Sequence, residues 1–189
     1  MATELYSKKI THDELIKLGR DWLIKQYAGM ADYGHSGCCV VITEISCNTW
    51  MGEQPDVLGF TNSKSRSILI ECKTSLSDFK ADKNKPFRVN PEFGMGSQRW
   101  YLAPFGIIPL DKIPKKWGLL EAIGNKIKIT KRAEIQKRNY ESEINVLLSI
   151  MCRLNVQPDN HVSIKKYTPL KGISPSKNKA TFYINGEIT

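Results

Sequence analysis

Between Cys38 and Thr74, three short runs of aliphatic and β-branched residues alternate with clusters of turn formers. Cys38 to Ser46 is rich in Val, Ile and Thr. Asn48 to Glu53 makes a turn before Asp56 to Phe60, and Thr61-Asn62-Ser63-Lys64 turns the chain back into Ser67 to Thr74. Runs of this length bounded by such residues read as β-strands. Ahead of them, Thr11-His12-Asp13-Glu14 is a capping box, with Thr11 as the cap and Glu14 reaching back to it. Leu15, Leu18, Trp22 and Leu23 follow at helical spacing, so residues 12–27 should form an amphipathic helix. Gly29 to Gly37 then reads as a loop.

Downstream, Ser75 to Lys83 is a short helix capped by serine, and Pro86 marks a stop beyond it. Val89 to Ser97, with Pro91, Gly94 and Gly96, reads as a loop. Arg99 to Leu102 reads as a strand, and Gly106 to Ile108 and Trp117 to Ala122 are further strand candidates. Lys126 to Thr130 alternates like a final strand. Glu134 to Leu154 is the expected longest helix, with Ile144, Leu147, Leu148, Met151 and Leu154 as its apolar stripe. The order α-β-β-β-α-β-β-α describes an α/β fold, a mixed sheet flanked by helices. We expect one domain over residues 1–154. Residues 155–189 form a basic C-terminal extension, or a β-hairpin ending at Thr181 to Ile184.

At 189 residues and 41% hydrophobic content the chain can bury one sizeable core. Its net charge of +9 favours polyanionic partners, nucleic acid first and an anionic membrane surface second. No apolar run approaches the ~20 residues of a membrane span, and the polar start at Met1 to Ile10 lacks a signal-peptide core. The expectation is a soluble cytoplasmic protein with no membrane partner. Five cysteines contain no CxxC pair, so reduced, mostly buried thiols are expected. His35, Cys38, Cys39 and Cys47 can be drawn as a zinc site, but their spacing fits no common pattern.

Glu71 and Lys73 stand two residues apart in Ile70-Glu71-Cys72-Lys73, fifteen positions after Asp56. Side chains at i and i+2 of a strand share a face. Glu71 and Lys73 should therefore point one way, and Ile68, Ile70 and Cys72 the other, into the core. Two carboxylates from neighbouring strands beside an ammonium are the minimum set for metal-assisted phosphodiester hydrolysis. Asp56, Glu71 and the Cys72 backbone carbonyl can hold Mg²⁺ or Mn²⁺. Lys73 would then orient the water, help deprotonate it or neutralise developing charge.

Pro55-Asp56, followed by Glu71-Cys72-Lys73 within an α-β-β-β-α-β order, resembles the PD-(D/E)XK nuclease superfamily. Within it, the chain is most similar to the MmcB-like DNA-repair proteins. That likeness rests on Thr43-Glu44-Ile45, Gln54 to Phe60, Ile70 to Phe79, Ala81 to Arg88, Gly94-Met95-Gly96, Arg99 to Leu102 and Trp117 to Leu120, spanning roughly residues 12–154. The resemblance implies a restriction-endonuclease-like core. It also implies a metal-dependent nuclease hydrolysing DNA in repair, replication or phage and mobile-element processing. Its catalytic set would be Asp56, Glu71 and Lys73 with Glu44 in support. The alternative from another class is an inactive nuclease-fold protein that binds nucleic acid or a protein partner. A third reading, cleavage of a small nucleotide messenger, needs a closed pocket, and the basic composition opposes it. DNA is the expected partner, with RNA the alternative. Many such nucleases pair two subunits, so a homodimer is an expectation without a legible motif.

Each reading has a plainer rival. Asp56, Glu71 and Lys73 can be a cross-strand ion pair at a strand end, usually worth under ~1 kcal/mol. Glu44 shares a strand face with Val40 and Ile42 and can be carried inward beside the site. Glu53 reads as a turn residue and Glu14 is explained by the capping box. Lys80, Lys83, Lys85 and Arg88 form either a solvated face or a phosphate clamp. Between Lys112 and Arg138, nine basic residues against two acidic ones leave a net of +7, read as a nucleic-acid track that includes Lys115 and Lys116. Arg99 is assigned to the same binding surface, and Gln98 is a guess for the water or phosphate. Trp100, Tyr101 and Trp117 read as core before they read as base-stacking platforms. His12, His35 and His161 receive no catalytic role.

Overall fold

A computed structural model describes residues 10–25, 37–44, 52–61, 66–154, 183–184 and 187–188. Helix α1 (His12–Lys25) leads into strands β1 (Val40–Thr43), β2 (Val57–Phe60) and β3 (Ser67–Cys72). Helix α2 (Leu76–Asp82) and the one-turn α3 (Pro86–Val89) follow. Strands β4 (Gln98–Pro104), β5 (Gly118–Ile123) and β6 (Lys126–Lys131) and helix α4 (Tyr140–Arg153) complete the main body. Two further two-residue strands, β7 (Tyr183–Ile184) and β8 (Glu187–Ile188), pair with each other. The rest of the C-terminal extension lies outside the described residues, as do His35, Cys47 and His161.

The six main strands lie in chain order as one sheet. β1, β2 and β3 pair antiparallel, whereas β3–β4 and β4–β5 are parallel. The β3–β4 crossover carries α2 and α3 over one face, and β6 returns antiparallel beside β5. This is the α-β-β-β-α-β order and helix-flanked mixed sheet expected from the sequence, consistent with a restriction-endonuclease-like core. Among the described residues no helix is long and apolar enough to cross a membrane.

Strand alternation sorts the core into two layers. Ile68, Ile70 and Cys72 of β3 join Leu15, Ile16, Trp22 and Leu23 of α1 on one face, with Trp100 and Leu102 of β4. Leu58, Leu69, Tyr101 and Leu119 cover the other face with Phe79 of α2, Trp117 and Val146 of α4. Three aromatics are core, as expected: Trp100 and Tyr101 of β4 and Trp117 just before β5 are all buried, and Tyr101 stacks on Trp117. Gly118 is required beneath Trp100, since a Cβ there would meet the indole at 2.2 Å.

Both helix caps read from sequence are present. Thr11 N–H donates to Glu14 Oε2 at 2.9 Å and Glu14 N–H to Thr11 Oγ1 at 3.2 Å. Ser75 Oγ accepts the Asp78 N–H at the start of α2.

Five expectations differ from the structure. Gly106 to Ile108 is a turn, not a strand. Val89 to Ser97 is built around a one-turn 3-10 helix at Pro91–Phe93, and Gly94 to Ser97 are buried. Helix α4 starts at Tyr140, six residues later than its periodicity suggests, because residues 134–139 run extended. Their N–H groups go elsewhere: Glu134 to Lys116 O, Gln136 to Ser97 O and Asn139 to Gly94 O. Asn139 then caps the helix through Ser142 N–H. The buried side of α4 is Ser142, Glu143 and Val146, not the leucine stripe. Of the cysteines, Cys38 and Cys72 are buried while Cys39 and Cys152 are exposed, so only half of the four described thiols are buried. Burial foremost, and then Cys39, pushes the Cys38 thiol up to about 12.

Candidate functional site

The carboxyl end of β3 organises the site. The register pairs Val57 with Ile70, so Asp56, one residue before β2, falls opposite Glu71. Its carboxylate turns into the sheet edge, where Oδ2 accepts the Cys72 N–H at 2.7 Å. His12 Nε2, at the start of α1, stands 3.5 Å from the same oxygen. A residue in a strand presents its N–H and C=O to the same side. The Cys72 carbonyl therefore also faces the β2 side, while the Lys73 N–H is spent on Leu102 O at 2.8 Å.

Glu71 and Lys73 point together onto the α2 face, as their spacing requires, with Lys73 Nζ 3.3 Å from Glu71 Oε2. Both are buried. Lys73 Nζ also lies 3.4 Å from Asp82 Oδ1 and 3.9 Å from Asp78 Oδ1, both carboxylates of α2. Beneath them runs Arg88. Its guanidinium meets three carboxylates: Glu53 Oε1 at 2.6 Å, Glu71 Oε1 at 2.8 Å and Asp82 Oδ2 at 2.8 Å. It lies 4.7 Å from the ring centroids of both Phe87 and Trp117. Tyr101 O–H donates to Asp82 Oδ2 at 2.9 Å, and Met95 N–H donates to Glu53 Oε2 at 2.6 Å. Lys85, half exposed, closes the mouth at 2.8 Å from Asp82 Oδ1 and 3.9 Å from Glu71 Oε2.

The charges tune one another. Burial foremost raises the Glu71 carboxyl to about 7; Arg88 pulls it down and the Asp56 charge pushes it further up. Burial disfavours the Lys73 ammonium, but Glu71, Asp82, Asp78 and Asp56 outweigh it and raise the pKa. Asp82 goes the opposite way to Glu71. Its burial is overcome by Arg88, Lys73 and the Lys85 and Arg88 hydrogen bonds, which hold it well below the ordinary carboxylate range. Burial, followed by Asp82, pushes the Tyr101 phenol far up.

These donors suit a divalent cation at one edge of the cluster. Glu71 Oε2 accepts a hydrogen bond from Lys73 at 3.3 Å, whereas Oε1 lies 2.8 Å from Arg88 without hydrogen-bond geometry and is otherwise unpartnered. The Glu71 and Asp56 carboxylates and the Cys72 carbonyl are oxygens of the kind that could hold Mg²⁺ or Mn²⁺. A cation there would also relieve the repulsion between the two acids.

Other expected site residues land elsewhere. Glu44 is exposed, with its backbone in the left-handed region at φ 49° and its N–H on Asp56 O at 3.1 Å. It is therefore beside Asp56 but not carried inward. Its carboxylate groups with His12 and Asp13, ligand atoms within 4.8 Å of one another, as exposed acidic groups often do without an ion. Gln98 is half-buried and reaches Ala133 O, away from Glu71 and Lys73.

Two residues assigned to nucleic acid are instead structural. Arg99 is buried and donates to the carbonyls of Met95, Gly96, Pro91, Gly94 and Lys137, which is why residues 91–97 form an ordered turn. Burial lowers its pKa to about 10. Arg88 is the guanidinium clamp described above. Lys85 is held on Asp82, although half its side chain meets solvent. Lys80, Lys83, Lys115 and Lys116 are exposed.

Glu53 and Asp82 went unrecognised as site residues. Glu53, read as a turn residue, is buried on Arg88. The only sequence hint was a carboxylate three residues before Asp56, and for Asp82 a carboxylate one helical turn after the buried Phe79.

No family model and no curated protein matches the chain. Among solved structures, it resembles a protein of unknown function from Silicibacter pomeroyi at 23% identity and a TM-score of 0.46. That alignment covers 67% of this chain and 85% of the other.

Proposed function

We propose that this protein is a divalent-cation-dependent nuclease that hydrolyses phosphodiester bonds in DNA. The observation carrying this reading is the convergence of Asp56, Glu71 and Lys73 at the carboxyl end of β3, with the acids opposite each other across two strands and the lysine 3.3 Å from Glu71. Asp56, Glu71 and the Cys72 carbonyl would hold Mg²⁺ or Mn²⁺. When bound, such an ion lowers the pKa of a water and draws charge from the phosphoryl oxygens. Lys73, kept as an ammonium by surrounding carboxylates, serves as a fixed positive charge for the developing phosphorane. It is not a proton acceptor. Arg88 sets the Glu71 carboxylate in one orientation. Exposed Lys80 on α2, Lys83 just after it, and Lys115 and Lys116 before β5, supply cations for the DNA backbone.

The test is direct. Purified protein is incubated with single- and double-stranded DNA and RNA in Mg²⁺, in Mn²⁺ and in EDTA. Cleavage of DNA with either ion, absent in EDTA and absent in Asp56→Ala/Glu71→Ala, is the expected result. Activity retained in that double variant removes the mechanism.

A second reading is a nucleic-acid-binding protein that keeps the fold without cleavage. It is favoured by one observation, the closure of the three buried carboxylates Glu53, Glu71 and Asp82 by Arg88. It predicts salt-sensitive DNA binding with no product under any divalent ion.

A further inference from the structure

At the opposite end of β3 from Glu71 and Lys73, a cleft of about 540 Å³ opens between Arg66, the 91–97 turn and the extended segment before α4. Five residues separate Arg66 from Glu71, so the two ends lie roughly 17 Å apart along the strand. The volume suits a small organic ligand. Ile135 and Tyr140, 56% and 61% exposed, give the cleft an apolar and aromatic wall. Arg66 and Lys137 bring two cations, and neither forms an ion pair among the described residues. Gln136 brings a side-chain amide whose nitrogen is buried without a hydrogen-bond partner. Its backbone N–H is bonded to Ser97 O at 2.9 Å, which fixes the residue in the cleft wall. A buried donor left unmade costs free energy, and a bound acceptor removes that cost. Arg138 is a different case, since its guanidinium is spent on Ser67 Oγ and on Glu143 Oε2 at 3.5 Å.

We propose that this cleft binds a nucleoside monophosphate, free or as the phosphorylated end of a strand. Arg66 and Lys137 match the two charges of one phosphate monoester, and the Gln136 amide donates to the ligand. The Arg138 guanidinium lies over one face of the Tyr140 ring, 4.3 Å from its centroid. The exposed remainder of the ring is a platform for a base. Glu92, exposed on the rim, is the one carboxylate of the lining. It accepts from a sugar hydroxyl and opposes a longer, more negative phosphate chain. The cleft is remote from Glu71 and Lys73, so the proposal does not depend on the hydrolytic reading.

The experiment is calorimetry on the full chain in EDTA and moderate salt, with deoxyadenosine monophosphate, deoxyadenosine and inorganic phosphate as probes. The monophosphate should bind below about 1 mM, and more tightly than either half of it. Arg66→Ala/Lys137→Ala and Gln136→Met should each weaken it by about tenfold or more. Gln136→Met should do so without lowering the urea midpoint, because that amide nitrogen holds nothing else in the protein. The same change from Lys115→Ala/Lys116→Ala would reduce the effect to general charge and overturn the proposal. So would no binding of the monophosphate, equal binding of inorganic phosphate, or a Gln136→Met variant that loses stability but not affinity. A short single strand with and without a terminal 5′-phosphate separates the two sources. Preference for the phosphorylated strand assigns the strand end, and indifference assigns the free nucleotide.

Discussion

Arg88 is the residue on which the most chemistry converges. It is a buried cation facing Glu53, Glu71 and Asp82, and removal of one partner from such a set leaves charge stranded in low dielectric. Arg88→Met should therefore cost about 3–5 kcal/mol, read as a lower urea midpoint, whereas Lys80→Met on the exposed face of α2 should leave it unchanged. Equal midpoints would mean that the network holds nothing together. The two central carboxylates also answer pH in opposite senses. Glu71 holds its proton more tightly folded than unfolded, with a pKa raised from 4.5 to about 7. The native state thus binds more protons in that window, and stability falls as pH rises through it. Asp82 is depressed below its usual value. Its contribution is fully present above the unfolded pKa and is lost as pH falls towards the folded one. Urea midpoints should show Glu71→Gln gaining on the wild type between pH 4.5 and 7. They should show the wild type losing more than Asp82→Asn as pH falls below about 4. Parallel curves would contradict both assignments. For catalysis, the isosteric Asp56→Asn and Glu71→Gln and the truncation Lys73→Ala should each lower single-turnover DNA cleavage by about 100-fold or more, with the fold unchanged by circular dichroism.

At the level of elements, the turn at residues 91–97 shows how one side chain can replace regular structure. Pro91, Gly94 and Gly96 are loop formers by composition, yet the Arg99 guanidinium satisfies carbonyls from four residues of this turn and from Lys137 of the segment before α4. Arg99→Met should leave the Met95 and Gly96 carbonyls without their Arg99 donor, each costing about 1–3 kcal/mol. Limited proteolysis should then cut between Pro91 and Ser97 in the variant and spare the wild type. Resistance in both would show that the turn holds itself. The late start of α4 has a related cause. Residues 134–139 have helical periodicity, but their N–H groups are claimed by Ser97 O, Gly94 O and Lys116 O, and a local preference of a few tenths of a kcal/mol per residue yields to those bonds.

Over the whole molecule, the net charge of +9 is not spread evenly between structure and surface. Arg88 and Arg99 are consumed inside, and Lys73 and Lys85 are committed to carboxylates. Among the described residues, the exposed cations able to meet a polyanion include Lys80, Lys83, Lys115, Lys116, Lys126 and Lys128. Lys115→Ala/Lys116→Ala should weaken DNA binding and reduce the slope of log K against log salt by about 2, with no change in sequence preference. An unaltered slope would place the binding track elsewhere.

The strand alternation that sets Glu71 and Lys73 on one face, and Ile70 and Cys72 on the other, was legible in the order of residues because a pleated strand has a period of two whatever surrounds it. The capping box at Thr11 and the serine cap at Ser75 were legible for a similar reason, since their bonds span three residues. The placing of Arg88, Arg99, Glu53 and Asp82 was not. A cation in the sequence reads the same whether it meets water, phosphate or a buried carboxylate. Only the crossover that folds α2 and α3 back over β3 brings residue 88 within 3 Å of residues 53 and 71. Periodicity likewise showed that α4 has an apolar side, but which part of that side meets the sheet depends on where the chain enters the helix, and the tertiary contacts of residues 134–139 decide that.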